Sequence, residues 1–177
     1  IRRAEFAKQK YQVFKPRIDN RYSEDHVASH NQNHFPSTVV DSAFEILSKV
    51  EKTTQVVGID EGQFFETELI DVATTLANAG KRVVIAGLDT DWRGVPFGPM
   101  PQLLAIAEIV RKQYAICMVC GEPATRTQRL VGSEDEILVG STDSYEARCR
   151  VHFDADLALR LLKSRTSRKS VQTPAEL

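Results

Sequence analysis

The sequence lacks the features that mark several classes of protein. Its 177 residues contain no apolar run near the roughly 20 residues that cross a bilayer, and its start does not resemble a signal peptide. We therefore expect a cytoplasmic protein without membrane contacts. The 23 basic and 24 acidic residues give a formal net charge of -1, which argues against a protein that coats nucleic acid. With 42% hydrophobic and 27% charged residues, the composition is globular and excludes a disordered or collagen-like chain.

The chain has three cysteines, an odd number that cannot pair off completely into disulfides. Cys117 and Cys120 form a CxxC pair, and Cys149 and His152 repeat the same spacing. Two residues between ligands allow a tight turn to direct both side chains at one ion, so the set predicts a tetrahedral, structural Zn²⁺ site. The alternatives are free buried cysteines beside a surface histidine, or a redox pair, for which the thioredoxin-like context is absent.

Hydrophobic patterning predicts an α/β fold. A βαβ unit, and with it a parallel sheet, is indicated by apolar strands over 55–59 and 83–88 with a helix over 67–79 between them. Before this unit, the sequence predicts a strand at 11–14 that is stopped by Lys15 and Pro16, a polar loop at 17–37, and a helix from a capping box at Ser42 to about 50. After it, the sequence predicts a helix at 102–110, a strand at 114–118, and a last helix from Asp154 through Lys163. We expect an α/β nucleotide-binding domain over 1–116, a zinc-binding subdomain over 117–153, and a C-terminal helix with a mobile basic tail over 154–177.

Acidic residues follow both strands of the βαβ unit. Asp60 and Glu61 end the first strand and Asp89 ends the second, where open α/β sheets bind ligands. The run from Val57 to Asp60 has the pattern of a Walker-B strand, whose Asp holds the Mg²⁺ of a nucleoside triphosphate. Glu61 could then accept the proton of an attacking hydroxyl. The alternative is that these acids stand there only because the sheet ends at water.

A phosphate loop is missing from the printed residues. No GxxxxGK[ST] motif occurs, and the chain opens at Ile1 without Met in a helical pattern. If this is a P-loop enzyme, we expect that loop to lie upstream of Ile1.

Together these segments identify a family. The stretches at 15–31, 59–65, 83–98, 117–130 and 145–152 resemble, in this order, the type II thymidine kinases. The resemblance implies ATP-dependent 5′-phosphorylation of thymidine or deoxyuridine in nucleoside salvage for DNA synthesis. It also implies a RecA-like P-loop parallel sheet with a small zinc-binding lasso subdomain, Mg²⁺ with ATP, a homotetramer, and dTTP as feedback inhibitor.

The resemblance also assigns roles at the reacting groups. Glu61 matches the catalytic base, and Asp60 matches the acid that is associated with Mg²⁺. Asp19 and Arg21 match polar residues near the phosphates, where an arginine can neutralise charge in the transition state.

For the nucleoside, Phe64, Leu88 and Trp92 match apolar residues of its pocket. Thr127 matches the residue beside the thymine methyl, and Tyr145 matches a tyrosine near the sugar. The lasso is implied to include Leu138, Val139 and Gly140, whose backbone groups would read the edge of the base.

Several of these residues have a simpler interpretation. Phe64 and Phe65 could belong to the ordinary core, Trp92 and Arg129 could lie on the surface, and Tyr145 could only pack on the zinc knuckle. For the whole chain, the alternatives are a zinc-ribbon module that binds nucleic acid on a non-catalytic α/β scaffold, and a different P-loop nucleotide kinase.

Overall fold

The computed structural model describes residues 1–17, 26–28, 34–132, 144–161 and 163. The chain divides into two compact units: unit 1 comprises 1–89 and 96–110, and unit 2 comprises 90–95 and 111–177. Within the residues described, no helix has the length and the apolar character needed to span a bilayer.

Unit 1 is built on a four-stranded parallel sheet. Its strands are β1 (Tyr11–Pro16), β4 (Thr38–Val40), β5 (Val56–Ile59) and β6 (Arg82–Ile85), in the order β4-β1-β5-β6. A separate antiparallel hairpin is formed by β2 (His26–Ala28) and β3 (His34–Pro36). All four residues of β5 are buried, which explains the apolar sequence of this strand. The predicted α/β class and βαβ unit are confirmed.

The described residues of unit 1 form four α-helices: α1 (Arg2–Phe6), α2 (Phe44–Lys49), α3 (Glu68–Asn78) and α4 (Met100–Ile106). The crossover helix α3 buries the stripe formed by Leu69, Val72, Ala73 and Leu76, whose spacing is that of one helix face. It ends in a Schellman motif: Gly80, at φ 78°, donates to the Ala77 carbonyl, and the Lys81 N–H donates to the Leu76 carbonyl. The predicted helix over 67–79 is confirmed.

Other predicted boundaries are wrong. The predicted capping box at Ser42 is wrong, because α2 begins at Phe44 and its N-cap is Ala43, which makes no side-chain capping bond. The Glu45 side chain instead accepts the Asp41 N–H through Oε1 at 3.3 Å. Strand β1 continues past Phe14 to Pro16, and its last two residues pair only with β4.

The predicted loop at 17–37 contains the β2–β3 hairpin, and β4 follows it directly. These strands have three residues each, too few to show an alternating pattern. Strand β6 ends at Ile85, whereas the predicted strand extended to residue 88. Helix α4 begins and ends earlier in the chain than the helix predicted over 102–110.

In unit 2, the residues that the structure describes include two antiparallel pairs of strands. The first is β7 (Ala115–Ile116) with β8 (Pro123–Ala124), and the second is β9 (Arg126–Arg129) with β10 (Tyr145–Arg148). The predicted strand at 114–118 is therefore shortened to two residues. Residues 157–161 and 163 are helical, within the span predicted for the last helix.

Candidate functional site

The acidic pair lies at the carboxyl end of β5 and is held to the strands on either side. The Asp60 N–H donates to the Phe14 carbonyl on β1 at 2.9 Å, and the Gly62 N–H donates to the Ala86 carbonyl just after β6 at 2.8 Å. Asp60 and Glu61 are both partly exposed. The sheet therefore presents two adjacent carboxylates at the edge where the α/β architecture predicts a ligand site.

Glu61 has a left-handed backbone, with φ 54° and ψ 42°. Besides Lys8, it is the only non-glycine residue with positive φ in the described part of the chain. Its N–H donates to Asp60 Oδ1 at 3.0 Å, which stabilises this sharp turn out of the strand. Such a conformation costs on the order of 1–3 kcal/mol and is typical of functional positions.

Gln63 connects Glu61 to the loop after β6. It lies in a 3₁₀ turn (Gly62–Phe64) and is only 2% exposed. Its Nε2 donates to Glu61 Oε2 at 2.6 Å, and its Oε1 accepts the Leu88 N–H at 3.0 Å. A buried amide thus orients the carboxylate of the predicted base.

The predicted apolar residues of unit 1 differ in burial. Phe65 is buried in the core, which agrees with its alternative interpretation as an ordinary core residue. Phe64 is only partly buried and packs edge-on against Phe97, with ring centroids 5.6 Å apart. Leu88 is 46% exposed, so its side chain is accessible to a ligand. Asp89 accepts the Phe97 N–H through its carbonyl at 3.2 Å, which closes the loop between them.

The second candidate site, in unit 2, is the Cys₃His cluster. The ligand atoms of Cys117, Cys120, Cys149 and His152 all lie within 4.8 Å of one another. Sγ of Cys120 and Cys149 are 3.8 Å apart, and His152 Nδ1 lies 3.9 and 3.3 Å from Sγ of Cys117 and Cys149. A tetrahedron with metal–ligand bonds of about 2.0–2.3 Å has edges of about 3.3–3.8 Å. The donor set therefore fits a Zn²⁺ ion, and all three cysteines are free of disulfides.

Backbone bonds hold both knuckles of this cluster. The Gly121 N–H donates to the Cys117 carbonyl at 2.9 Å, and Gly121 has φ 76°, which favours glycine at this turn. The His152 N–H donates to the Cys149 carbonyl at 3.2 Å. The local chain thus forms the two tight turns that the CxxC and CxxH spacings predict.

The electrostatics of the cluster favour one thiolate. Burial raises the pKa of the Cys117 thiol, but backbone hydrogen bonds from Cys149, Val119 and Cys120 lower it, and the net pKa is about 6. A backbone bond from Glu122 lowers the pKa of Cys120, but burial and hydrogen bonds with the neighbouring thiols raise it overall. Because metals bind the thiolate, a negative charge on Cys117 suits metal binding.

A second group in unit 2 surrounds Arg129, which is fully buried. Its Nη2 and Nε donate to the Tyr145 hydroxyl at 2.8 and 3.2 Å, and the two residues are directly opposed on β9 and β10. The guanidinium carbon also lies 4.5 Å from the centroid of the Trp92 ring. The surface position considered for Arg129 and for Trp92, which is 7% exposed, is therefore wrong.

The loop that carries Trp92 is organised by Asp91. The buried Asp91 carboxylate accepts the N–H groups of Arg93 and Val95 through Oδ1 at 2.8 and 3.0 Å. Thr127 lies on β9 opposite Ala147 and is partly exposed. Trp92, Arg129 and Tyr145 thus form one contacting group, and Thr127 lies two residues before Arg129 on the same strand.

Other predicted residues lie outside the described part of the chain. These are the phosphate-side residues Asp19 and Arg21 and the lasso residues Leu138, Val139 and Gly140.

Two residues, Gln63 in unit 1 and Arg129 in unit 2, were missed as functional candidates. The available signal for Gln63 was its position two residues after Glu61, in the turn that follows a buried strand. Arg129 gave no such signal, since arginine in a strand is ordinarily exposed.

Comparison with known proteins covers both units. The chain matches the family model described as thymidine kinase over residues 1–153. It is also 55% identical over 157 residues to a thymidine kinase of Bdellovibrio bacteriovorus, and this alignment covers 89% of the chain and 77% of that protein. The matched range includes the acidic pair, Gln63 and the Cys₃His cluster.

Proposed function

The chain belongs to the thymidine kinase family, and from this premise we propose that it transfers the γ-phosphoryl group of ATP to the 5′-hydroxyl of thymidine or deoxyuridine. The protein is a phosphotransferase. In the proposed reaction, a bond forms between the 5′-oxygen and the γ-phosphorus while the bond from that phosphorus to the β–γ bridging oxygen breaks. ADP leaves, and the hydroxyl proton passes to a protein carboxylate.

Glu61 is the proposed acceptor of this proton. The observation that carries the proposal is the left-handed backbone of Glu61 at the carboxyl end of β5. The fold maintains this unfavourable conformation in a glutamate, and strain of this kind is typical of catalytic positions. The buried amide of Gln63 gives the carboxylate a defined orientation, which a general base requires.

Asp60 is the proposed contact to Mg²⁺. Mg²⁺ is commonly held by one or two carboxylates together with the phosphates of the substrate, so a single Asp at a strand end fits this ion. When bound, Mg²⁺ neutralises charge on the phosphates. Asp19 and Arg21 complete the phosphate side of the proposal on the resemblance alone. A RecA-like P-loop fold belongs to the same proposal, on the resemblance alone.

For the nucleoside, the proposal retains the residues that the resemblance assigns. In unit 1 these are Phe64 and Leu88, and their partial exposure supports the assignment. In unit 2 they are Trp92, Thr127, Leu138, Val139, Gly140 and Tyr145.

Zn²⁺ is proposed as a structural ion held by Cys117, Cys120, Cys149 and His152. With four protein ligands, no coordination position is left for water, so the ion would stabilise unit 2 and take no part in the chemistry. A homotetramer and inhibition by dTTP also belong to the proposal, on the resemblance alone.

The test is Glu61→Gln, which keeps the size of the side chain but removes the base. We expect kcat for thymidine to fall by about 100-fold to 10,000-fold, while circular dichroism and zinc content stay unchanged. Glu66→Gln, at an exposed position after the same turn, serves as the matched control and should leave kcat within about twofold. Near-normal turnover in Glu61→Gln would refute the role of Glu61. ATP consumption independent of thymidine would refute the proposed substrate.

A further inference from the structure

We propose that Gln63 is a positioning residue whose amide holds the Glu61 carboxylate in the orientation required for proton transfer. The inference rests on the proposed function, because it gives Gln63 a role only if Glu61 is the base. It adds a residue that does not itself have to touch the substrate.

The hydrogen bonds determine which way the amide points. Nε2 of Gln63 donates to Glu61 Oε2 at 2.6 Å, and Oε1 of Gln63 accepts the Leu88 N–H at 3.0 Å. A carboxylate only accepts and a backbone N–H only donates, so turning the amide over would lose both bonds. Each end of the amide therefore has a chemically compatible partner, and the donating end is directed at the proposed base.

Glycines surround Gln63 and allow other segments to approach it closely. A Cβ on Gly87 would lie 2.7 Å from Gln63 Oε1, and a Cβ on Gly98 would lie 2.3 Å from the Gln63 carbonyl oxygen. Gly98 also has φ 49°, a conformation that other residues rarely adopt. The packing thus confines both the side chain and the backbone of Gln63.

The consequence for Glu61 is a carboxylate oriented by a buried group instead of by solvent. Gln63 is only 2% exposed, so its bond to Oε2 is shielded from competing water. A base that is already oriented avoids reorganisation during the reaction, which is where positioning contributes to rate. The same bond stabilises the charged form of the carboxylate, so its removal should make protonation easier.

Loss of the Gln63 amide should therefore change how kcat depends on pH. Without the donating amide, Glu61 becomes protonated at higher pH, so the acidic limb of the kcat profile moves upward. A residue with a purely structural role would lower stability or the amount of folded protein, but it would not move this limb.

The main variant is Gln63→Met, which is similar in length and can neither donate nor accept strongly. In the zinc-loaded full-length protein, we expect kcat to fall by about 10-fold to 100-fold, with KM for thymidine within about threefold. We expect the acidic limb to move up by about one pH unit, measured over about pH 5 to pH 9.

A second variant, Gln63→Glu, guards against a failure of Gln63→Met to fold. It retains the volume of the side chain and the acceptor for the Leu88 N–H, but when ionised it cannot donate to Glu61. Where the new carboxyl is ionised, Glu61 lacks its donor and kcat should fall as it does in Gln63→Met. Where the new carboxyl is protonated, it can donate to Glu61 in place of the amide, so the pH profile should differ from the parental one.

Gln12→Met is the matched control. Gln12 lies near the amino end of β1, where its Nε2 donates to the Lys49 carbonyl at 3.1 Å and its Oε1 accepts the Glu51 N–H at 2.8 Å. Its loss removes a comparable amide bridge within unit 1, away from the acidic pair. Gln12→Met should reduce stability and leave the shape of the pH profile unchanged.

The outcomes separate this inference from the proposed function. If Glu61→Gln is inactive but both Gln63 variants retain the parental pH profile, the positioning role is wrong and the proposed base stands. If Glu61→Gln turns over normally, the proposed base is wrong. In the Glu61→Gln background, Gln63→Met should reduce the residual kcat by less than about twofold, because the group that it positions is already absent. A full additional loss in that background would overturn the inference.

Discussion

Gly98 offers a sharp test of how tightly the turn that carries the proposed base is packed. It lies at φ 49°, and a Cβ at this position would be 2.3 Å from the carbonyl oxygen of Gln63. A contact this short with backbone cannot be relieved by rotating a side chain. Gly98→Ala must therefore displace either its own loop or the backbone of Gln63.

The expected size of the effect has two parts. A left-handed alanine costs about 1–2 kcal/mol, of which about 0.4–1 kcal/mol is offset because alanine lowers the entropy of the unfolded chain. Crowding in a packed region adds about 1–3 kcal/mol. We therefore expect Gly98→Ala to lower the free energy of unfolding by about 2–4 kcal/mol.

Gly80→Ala isolates the cost of placing alanine in a left-handed backbone, without the crowding. Gly80 has φ 78°, but a Cβ there would meet nothing within 4 Å. This variant should lose only about 1 kcal/mol. Its position after α3, away from the acidic pair, predicts an unchanged kcat, whereas Gly98→Ala should also lower kcat because it displaces Gln63.

The assay is urea unfolding followed by far-UV circular dichroism at constant zinc. Tryptophan fluorescence is less suitable, since the single tryptophan, Trp92, lies in unit 2 and would report on that unit. Equal losses of stability in Gly98→Ala and Gly80→Ala would refute the close approach of Gly98 to Gln63. Equal and unchanged kcat values would refute its connection to the base.

Three further predictions concern the metal site, the buried arginine and the core. Cys149→Ser should reduce bound zinc, measured by elemental analysis, from a full equivalent to well below one; an undiminished equivalent would contradict the Cys₃His site. Arg129→Met should lower the free energy of unfolding of unit 2 by about 2–4 kcal/mol, because the Tyr145 hydroxyl loses two hydrogen-bond donors. An unchanged midpoint of urea unfolding, followed by tryptophan fluorescence, would contradict this role of Arg129. Leu69→Ala, at a fully buried position, should lower the free energy of unfolding by about 2–5 kcal/mol in the circular dichroism assay. Phe6→Ala, at a position 90% exposed, should change it by no more than about 0.5 kcal/mol, and similar losses in the two variants would contradict the assigned core.

The elements predicted best are those with the longest local patterns. The apolar run of β5 and the periodic stripe of α3 were visible because burial on both faces of a strand, and on one face of a helix, each leaves a regular spacing of hydrophobic residues. The hairpin of β2 and β3 and the short β4 were missed, since three residues cannot show a period. Strand β4 also depends on its partner β1, which is distant from it in the chain.

The candidate site likewise contains some residues that a local sequence pattern identifies and others that it does not. Asp60 and Glu61 could be selected because the end of a buried strand is recognisable from its neighbours in sequence. Phe65 and Trp92 could not be assigned to core or surface from sequence alone, and the structure buries both. The cost of the left-handed backbone at Glu61 was also invisible, because glutamate does not signal positive φ as glycine does.

The sequence by itself determined the α/β class, the acids at the end of the central strand, and the paired spacing of Cys117, Cys120, Cys149 and His152. These features depend on residues a few positions apart, whose geometry is set by helix, strand and turn. Only the tertiary structure decided that the Gln63 amide bridges Glu61 to the backbone of Leu88, or that Arg129 donates to Tyr145. Such contacts depend on strand order and on the paths of loops, which bring together side chains that no local pattern relates.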